Sequence, residues 1–211
     1  MYEFQNKLIV KPWGSEYELF ANENVSIWHL TIKPGESTSL HCHPNKKTGL
    51  LVLEGAAEVS FLNSKHKLLP SEKVMIRHGV FHRTTNKLST DLQLLEIETP
   101  NDKTDIIRLK DEYGRSGKSF EEGQNYKEMI LPRLHESFVV GSCHIVPLRI
   151  NNIDELDNFT DNHNYMILEG GVVTDFCGVI SPGDISNKKD LITLAKQFTL
   201  LPSFICDIYH V

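Results

Sequence analysis

Short apolar segments with β character recur along the chain, and residues that favour turns separate them. In the first half these segments read KLIV, EYELF, VSIWHLTI, GLLVLEG, AEVSFL, EKVMI and DLQLLEIE. The turn signals between them include KPGE, from Lys33 to Glu36, and LPSE, from Leu69 to Glu72. One later stretch, from Asp190 to Phe198, fits either a short helix or a strand. Evenly spaced short strands with few helical stretches predict an all-β sandwich or barrel.

A polar, glycine-bearing stretch from Asp111 to Gln124 interrupts the strand pattern. After it, β character returns in the segments EMILPRL, FVVGSCHIVPLRI, NYMILEGGVVTDF and QFTLLPSFICDIYHV. Clusters of polar and glycine residues between patterned segments are typical of connectors. We therefore predict a first domain over residues 1–115, a connector over 116–126 and a second, degenerate domain over 127–211.

The two halves share an internal similarity. MILEGGVVTDF, from Met166 to Phe176, resembles LVLEGAAEVSF, from Leu51 to Phe61, and a proline-bearing turn follows each segment. When the two segments are aligned, Leu156 and Asn158 stand where the first half has two histidines. The second half therefore repeats the scaffold without those histidines, and only the first half is equipped for metal chemistry.

Composition narrows the classes of partner. The formal net charge of −6 argues against a general nucleic-acid-binding surface. No basic region followed by a long apolar stretch opens the chain, and no run approaches the roughly 18 apolar residues of a membrane span. The cysteines are scattered, as is typical of free thiols in a reducing compartment: Cys42, Cys143, Cys177 and Cys206. We expect a cytoplasmic protein with no nucleic-acid or membrane partner.

Two histidines, His41 and His43, lie two residues apart in a strand-like segment. Residues two apart on a strand point to the same side, so both imidazoles can reach one metal ion. A third histidine, His82, lies in GVFHRTTN. A pair of this kind alone is more often a surface or hydrogen-bonded feature, whereas three histidines with glycines at set distances form a recognisable pattern.

That pattern resembles the two-part signature of the cupin family. Its elements here are Gly35, His41-x-His43, Gly55 and Gly79-x-x-His82-x-x-x-Asn86. The resemblance implies a double-stranded β-helix, the cupin jelly roll, with two such barrels in the chain and the second shortened. It also implies that His41, His43 and His82 are ligands of one divalent transition metal: zinc, nickel, iron, cobalt or manganese. The alternative is a cupin-shaped barrel with an empty pocket lined by histidines.

Thr48 departs from the family pattern, which normally places a glutamate at this position. A threonine hydroxyl rarely ligates a transition metal. Its presence leaves a three-histidine site with positions open to water or substrate and with one negative charge fewer. Three-histidine sites occur among cupin dioxygenases, which suggests an iron enzyme of that type. Weakened or lost metal binding is the other interpretation.

Further blocks resemble the mannose-6-phosphate isomerase domain of bifunctional type II enzymes that also make GDP-mannose. These blocks run from Lys11 to Tyr17, from Ile32 to His41 and from Leu92 to Arg115. The resemblance covers roughly the first half of the chain and implies an aldose–ketose isomerisation of a sugar or sugar phosphate. In those enzymes the first ligand position is usually glutamine, whereas this chain has His41.

An isomerase of this kind needs a base beside the substrate carbon and cations for its phosphate. Glu96 is the predicted catalytic carboxylate; it shares a strand face with Glu98, and the alternative is that this face is the outer one and both are solvated. The predicted substrate-binding residues are the cations near the ligand strands: Lys46, Lys47, Arg77 and Arg83. The alternative for the lysines is a solvated hairpin loop.

The expected partner is a small-molecule carbohydrate, and no cofactor other than the metal is predicted. The second half is expected either to pack on the first or to form the interface of a homodimer. A non-catalytic module that binds a sugar or nucleotide sugar is the third functional interpretation, beside the isomerase and the dioxygenase.

Overall fold

The computed structural model describes Phe4, residues 6–115 and residues 126–211. Its contacts divide the chain into two compact units, Met1–Arg133 and Leu134–Val211. The strands of the first unit are β1 (Lys7–Lys11), β2 (Gly14–Ala21), β3 (Ser26–Ile32), β4 (Leu40–Cys42), β5 (Lys47–Glu54), β6 (Ala57–Phe61), β7 (Lys65–Leu68), β8 (Lys73–Ile76), β9 (His82–Asn86), β10 (Leu92–Thr99), β11 (Ile107–Lys110) and β12 (Tyr126–Glu128). The elements of the second unit are β13 (Phe138–Val140), β14 (Cys143–Ile150), a 3₁₀ helix (Ile153–Asn158), β15 (Asn164–Val173), β16 (Gly178–Ile180), β17 (Ile185–Ser186), α1 (Lys188–Gln197) and β18 (Thr199–His210).

The first unit consists of two antiparallel sheets that share one apolar core. One sheet has the strand order β12-β1-β2-β3-β10-β5-β8, and the other has the order β11-β4-β9-β6-β7. Buried side chains of both sheets pack together, among them Trp28 and Val52 of the first sheet and Ala57 and Val59 of the second. This is the jelly roll of the double-stranded β-helix class, and the predicted all-β cupin fold is confirmed for this unit.

Alternation along β10 explains how the interior becomes polar at one end. Leu92 and Leu94 belong to the apolar core, and Glu96 and Glu98 follow them on the same face. Because successive side chains of a strand point to opposite faces, the two glutamates also enter the space between the sheets. The alternative that these glutamates lie on an outer, solvated face is therefore wrong.

The second unit has one antiparallel sheet with the order β13-β14-β18-β15-β16, and β17 pairs with β15. The stretch Asp190 to Phe198 lies mostly in α1, so the helical alternative is confirmed. The Oδ1 atom of Asn187 accepts a hydrogen bond from the Asp190 N–H at 2.8 Å and caps this helix. Leu191 and Ala195 face the core of this unit with residues of β15 and β18. The interpretation of this unit as a shortened cupin stays a prediction.

The glycines of the internal repeat share a backbone conformation that only glycine adopts easily. Gly55 has φ +86° and Gly170 has φ +73°. A β-carbon at Gly55 would lie 3.2 Å from the backbone oxygen of Asp91. Both LEG segments therefore end at a glycine in this conformation: Gly55 directly follows β5, and Gly170 lies within β15 at a shift in its register with β18.

The predicted division at 115 and 126 stays a prediction, because residues 116–125 of the predicted connector lie outside the described residues. Tyr126–Glu128 pairs with β1 and so lies in the first unit. The helices in the described part of the chain include none with the length and apolar character that crossing a bilayer requires.

Candidate metal centre

Three histidines meet at the polar end of the first unit. His41 lies on β4, His43 directly follows that strand, and His82 begins β9, where it pairs with His41. The ring centroids are separated by 5.0 Å for His41 and His43, 4.5 Å for His41 and His82, and 5.6 Å for His43 and His82. All three are at least 93% buried, with exposed fractions of 7%, 5% and 2%. The predicted histidines are therefore brought together.

Hydrogen bonds orient all three rings in the same way. Each Nδ1 atom lies within hydrogen-bond distance of a backbone carbonyl oxygen, and the three oxygens belong to Ser39 (2.8 Å), Asp105 (2.6 Å) and Val80 (3.0 Å). A carbonyl only accepts, so Nδ1 carries the hydrogen and Nε2 carries the lone pair. The Nε2 atoms of His43 and His82 are buried and have no hydrogen-bond partner among the described residues. These atoms are therefore available to a metal ion.

Burial keeps the imidazoles neutral. It lowers the pKa of His41 well below the usual value, and His82 and His43 lower it further. Burial, with a smaller effect of Lys46, lowers the pKa of His43 to about 4. Burial also lowers the pKa of His82. Neutral imidazole is the form that binds zinc, iron, nickel or copper, so the donor set fits a divalent transition metal.

The segment that carries His43 is held at both ends. The Gly79 N–H donates to the His43 carbonyl oxygen at 2.7 Å, which ties the turn before His82 to the first motif. The carboxylate of Asp105 accepts hydrogen bonds from the backbone N–H groups of Asn45 and Lys46, each at 2.9 Å. Sequence reasoning gave Asp105 no role, although its place in the isomerase-like block was a usable signal.

Two buried carboxylates of β10 lie beside the histidines. Together with His43, Glu96 and Glu98 form a second group of three potential ligand atoms, all within 4.8 Å of one another. Burial, with the Glu98 charge, raises the pKa of Glu96 to about 7. Burial alone would also raise the pKa of Glu98, but the ammonium groups of Lys103 and Lys46 lower it to about 2. The surroundings thus shift the pKa values of the two carboxylates in opposite directions.

The predicted substrate-binding cations have different surroundings. Lys46 is buried, lines the pocket and pairs with Glu98 at 2.6 Å. Lys47 is half-buried on β5, and Arg77 is exposed. Arg83 pairs with Glu112 at 2.8 Å. Of the four, Lys46 is the one found among the described residues that line the pocket.

Other cations, which sequence reasoning did not select, complete the pocket. They come from the Lys11 and Leu92–Arg115 blocks: Lys11, Lys103, Arg108 and Arg115. With Lys46, five cationic side chains and the carboxylates of Glu16, Glu96 and Glu98 line this space. The excess of positive charge favours an anionic ligand. These cations could have been selected from the sequence, because they lie in the blocks that resemble the isomerase domain.

The chain is similar to known proteins in its first half. The family model described as "Mannose-6-phosphate isomerase C-terminal" matches residues 2–111. The alginate biosynthesis protein AlgA of Pseudomonas putida is 30% identical over 128 residues, which are 59% of this chain and 26% of that protein. The mannose-1-phosphate guanylyltransferase ManC of Salmonella typhimurium is 31% identical over 110 residues, or 51% and 23%. This chain thus matches about a quarter of the length of these curated relatives.

Among solved structures, KdgF from Halomonas sp. is 18% identical, with a TM-score of 0.44 and coverage of 48% of this chain and 94% of that one. The capsular polysaccharide assembling protein CapF from Staphylococcus aureus is 22% identical, with a TM-score of 0.45 and coverage of 49% and 34%.

Proposed function

The chain belongs to the family of the mannose-6-phosphate isomerase C-terminal domain, and on this premise we propose that it is a metal-dependent cupin that interconverts an aldose and a ketose. The substrate class is a sugar or, more specifically, a sugar phosphate. The observation that carries the proposal is the set of three buried imidazoles whose Nδ1–H groups are held by backbone carbonyls, with a buried carboxylate in the same pocket.

His41, His43 and His82 would hold the metal through their Nε2 atoms. When bound, a divalent transition metal supplies Lewis acidity, which polarises a substrate carbonyl and stabilises the negative charge that forms on its oxygen. The backbone hydrogen bonds fix the ring orientations beforehand, so the ligand set needs little rearrangement. The specific metal within the predicted group of zinc, nickel, iron, cobalt and manganese stays part of the proposal.

Glu96 would transfer the proton of the isomerisation. An aldose becomes a ketose when a base removes the proton from the carbon next to the carbonyl and returns it to the former carbonyl carbon, while the proton of the adjacent hydroxyl moves to the former carbonyl oxygen. Glu96 lines the pocket and is 9% exposed, so it can reach substrate while bulk water is largely excluded. The surrounding apolar wall, which includes Trp13 and Leu30, limits competing proton exchange.

The charge of the pocket supports a phosphorylated substrate. Phosphate is bound best by guanidinium groups, which can donate two parallel hydrogen bonds. Arg108 lines the pocket from β11, and Lys11 lines it from β1. Arg115 also lines the pocket, while its Nε and Nη2 atoms donate to Asp111. The predicted roles of Lys46, Lys47, Arg77 and Arg83 in substrate binding stay predictions, as do the cytoplasmic location and a homodimer.

The test combines metal analysis with a substrate screen. The full chain, loaded with each candidate metal, is incubated with phosphorylated aldoses in D₂O, and the products are followed by NMR. We expect ketose formation with deuterium at the former aldehyde carbon. Where the pocket shields the transferred proton from solvent, this exchange with deuterium is expected to be slow. In Glu96→Gln, both ketose formation and the exchange should be lost. Metal loading without turnover on any sugar phosphate would contradict the isomerase.

Two other results would support the alternatives. Oxygen consumption by the iron-loaded chain would favour a three-histidine dioxygenase. Saturable binding of a sugar or nucleotide sugar without turnover, equal in wild type and Glu96→Gln, would favour a non-catalytic binding module.

A further inference from the structure

We infer that Glu98, on β10, supplies the carboxylate of this metal centre in place of a residue at position 48. The inference rests on the proposed three-histidine metal site and deepens it. The Glu98 Oε1 atom lies 3.9 Å from His43 Nε2, which is buried and has no hydrogen-bond partner in the part of the chain that the structure describes. Two ligand atoms at about 2.1 Å from one ion are at most about 4.2 Å apart, so this separation is compatible with one ion bound by both His43 and Glu98.

Strand register explains why Glu98 can act for position 48. On the antiparallel pair β5–β10, Glu98 is directly opposite Thr48. Directly opposite side chains lie on the same face, with their β-carbons about 4.5–5.5 Å apart. A carboxylate from position 98 therefore enters the space that a longer side chain at position 48 would fill. The Thr48 hydroxyl is buried there, and residues 6–115 and 126–211 offer it no hydrogen-bond partner.

Glu96 is the competing carboxylate, and its register differs. It is opposite Leu50 on β5 and opposite Trp28 on β3, one pair further along the strand toward the apolar core. Glu96 also has a ligand atom within 4.8 Å of one on His43, but among the described residues the closer approach, 3.9 Å from His43 Nε2, is that of Glu98. In this arrangement Glu98 binds the metal, and Glu96 stays available to the substrate.

Two lysines hold the Glu98 carboxylate in position. Lys46 Nζ lies 2.6 Å from Oε1, and Lys103 Nζ lies 3.5 Å from Oε2. Since Lys46 contacts the same oxygen that approaches His43, a metal ion and the Lys46 ammonium compete for that oxygen. Lys46→Met, which removes the competitor and one positive charge, is therefore expected to tighten metal binding.

The experiment measures zinc affinity of the full chain by competition with a chromophoric chelator, together with the visible spectrum of the cobalt-loaded protein. The key variant is Glu98→Gln in the Lys46→Met background, because removing both members of the ion pair leaves fewer unpaired buried charges. It is compared with Lys46→Met alone, and Glu96→Gln is the matched control on the same strand face. Thermal unfolding followed by circular dichroism verifies that each variant is folded.

We expect Glu98→Gln to weaken zinc binding at least about tenfold, both in the wild type and in Lys46→Met, and to change the cobalt spectrum. Loss of a residue that only orients a metal ligand can already weaken binding by this factor. Adding Thr48→Glu to Glu98→Gln should restore affinity to within about threefold of wild type, whereas Glu96→Gln should leave the cobalt spectrum unchanged. Equal zinc affinity for Lys46→Met with and without Glu98→Gln would overturn the inference, since Glu98 would then be only the counter-ion of Lys46. Absence of metal binding by the wild type would instead refute the proposed metal site itself.

Discussion

Asp105 is expected to stabilise the proposed metal centre, although its side chain is not among the predicted ligands. Its carboxylate accepts hydrogen bonds from the backbone N–H groups of Asn45 and Lys46 and from the Asn45 side chain, all at 2.9 Å. Asp105→Ala removes these three bonds. The N–H of the buried Lys46 loses a bond to a charged acceptor, which costs about 1.5–3 kcal/mol. Water can replace much of the rest at the exposed Asn45, so the expected loss in the free energy of unfolding is about 3 kcal/mol.

Urea unfolding followed by tryptophan fluorescence measures this change in the first unit. Both tryptophans of the chain, Trp13 and Trp28, are buried in that unit and report on it selectively. Zinc affinity should fall about tenfold in the same variant, because the segment that follows His43 loses its anchor. Asp102→Ala is the control: Asp102 is exposed and bonds only locally to Thr104, so a loss of about 0.5 kcal/mol is expected. An Asp105→Ala variant within about 1 kcal/mol of wild type, with unchanged zinc affinity, would refute this reasoning.

Three further predictions concern the first unit and use the same fluorescence assay. Gly55→Ala should lower the free energy of unfolding by about 2 kcal/mol, because φ is +86° and the new β-carbon would lie 3.2 Å from a backbone oxygen. Gly35→Ala, where φ is +77° and the space is open, should lower it by only about 1 kcal/mol. Equal losses would show that the contact at Gly55 contributes nothing. Leu94→Ala should cost about 2–5 kcal/mol because this side chain is 1% exposed in the apolar core, and a loss below about 1 kcal/mol would contradict its placement. Asp111→Asn tests pH dependence: although burial raises the pKa of Asp111, hydrogen bonds from Arg115 lower it overall. A lowered pKa in the folded state gives stability that is present above the unfolded pKa of about 3.9 and is lost as the pH falls through the folded pKa. The difference in unfolding free energy between wild type and Asp111→Asn should therefore shrink in acid. A difference that stays constant between pH 7 and pH 2 would contradict the pairing of Asp111 with Arg115.

The histidine cluster could be predicted from the sequence because its signal is local. His41 and His43 point to the same side for the simple reason that they are two residues apart on an extended chain. The glycines at set distances, and the resemblance that they carry, brought His82 to the same place. The carbonyl partners of the Nδ1 atoms were beyond sequence reasoning, since one of them belongs to Asp105, which is distant along the chain.

The carboxylates show where periodicity stops being informative. A period of two establishes that Glu96 and Glu98 share a face, but it does not say whether that face is inner or outer. The answer depends on the pairing of β10 with β3 and β5, which is a long-range property. The same register places Glu98 opposite Thr48, the position that departs from the family motif, and only the fold shows this pairing.

The pocket cations were missed for a related reason. Sequence proximity to the ligand strands selected Arg77 and Arg83, whereas the pocket takes Arg108 and Arg115 from a segment that strand pairing brings back to it. The helix α1 was ambiguous because a short apolar stretch fits both periods. Its cap at Asn187, which could have been read from the sequence, resolves the ambiguity in favour of the helix.

The most direct test of the central claim is the number of zinc ions that the full chain binds, titrated against a chelator for wild type and His43→Ala. We expect about one ion per chain for the wild type and none at the same free zinc concentration for His43→Ala, with the tryptophan fluorescence of the folded first unit unchanged. Zinc binding that is equal in the two proteins, or absent from the wild type, would contradict it.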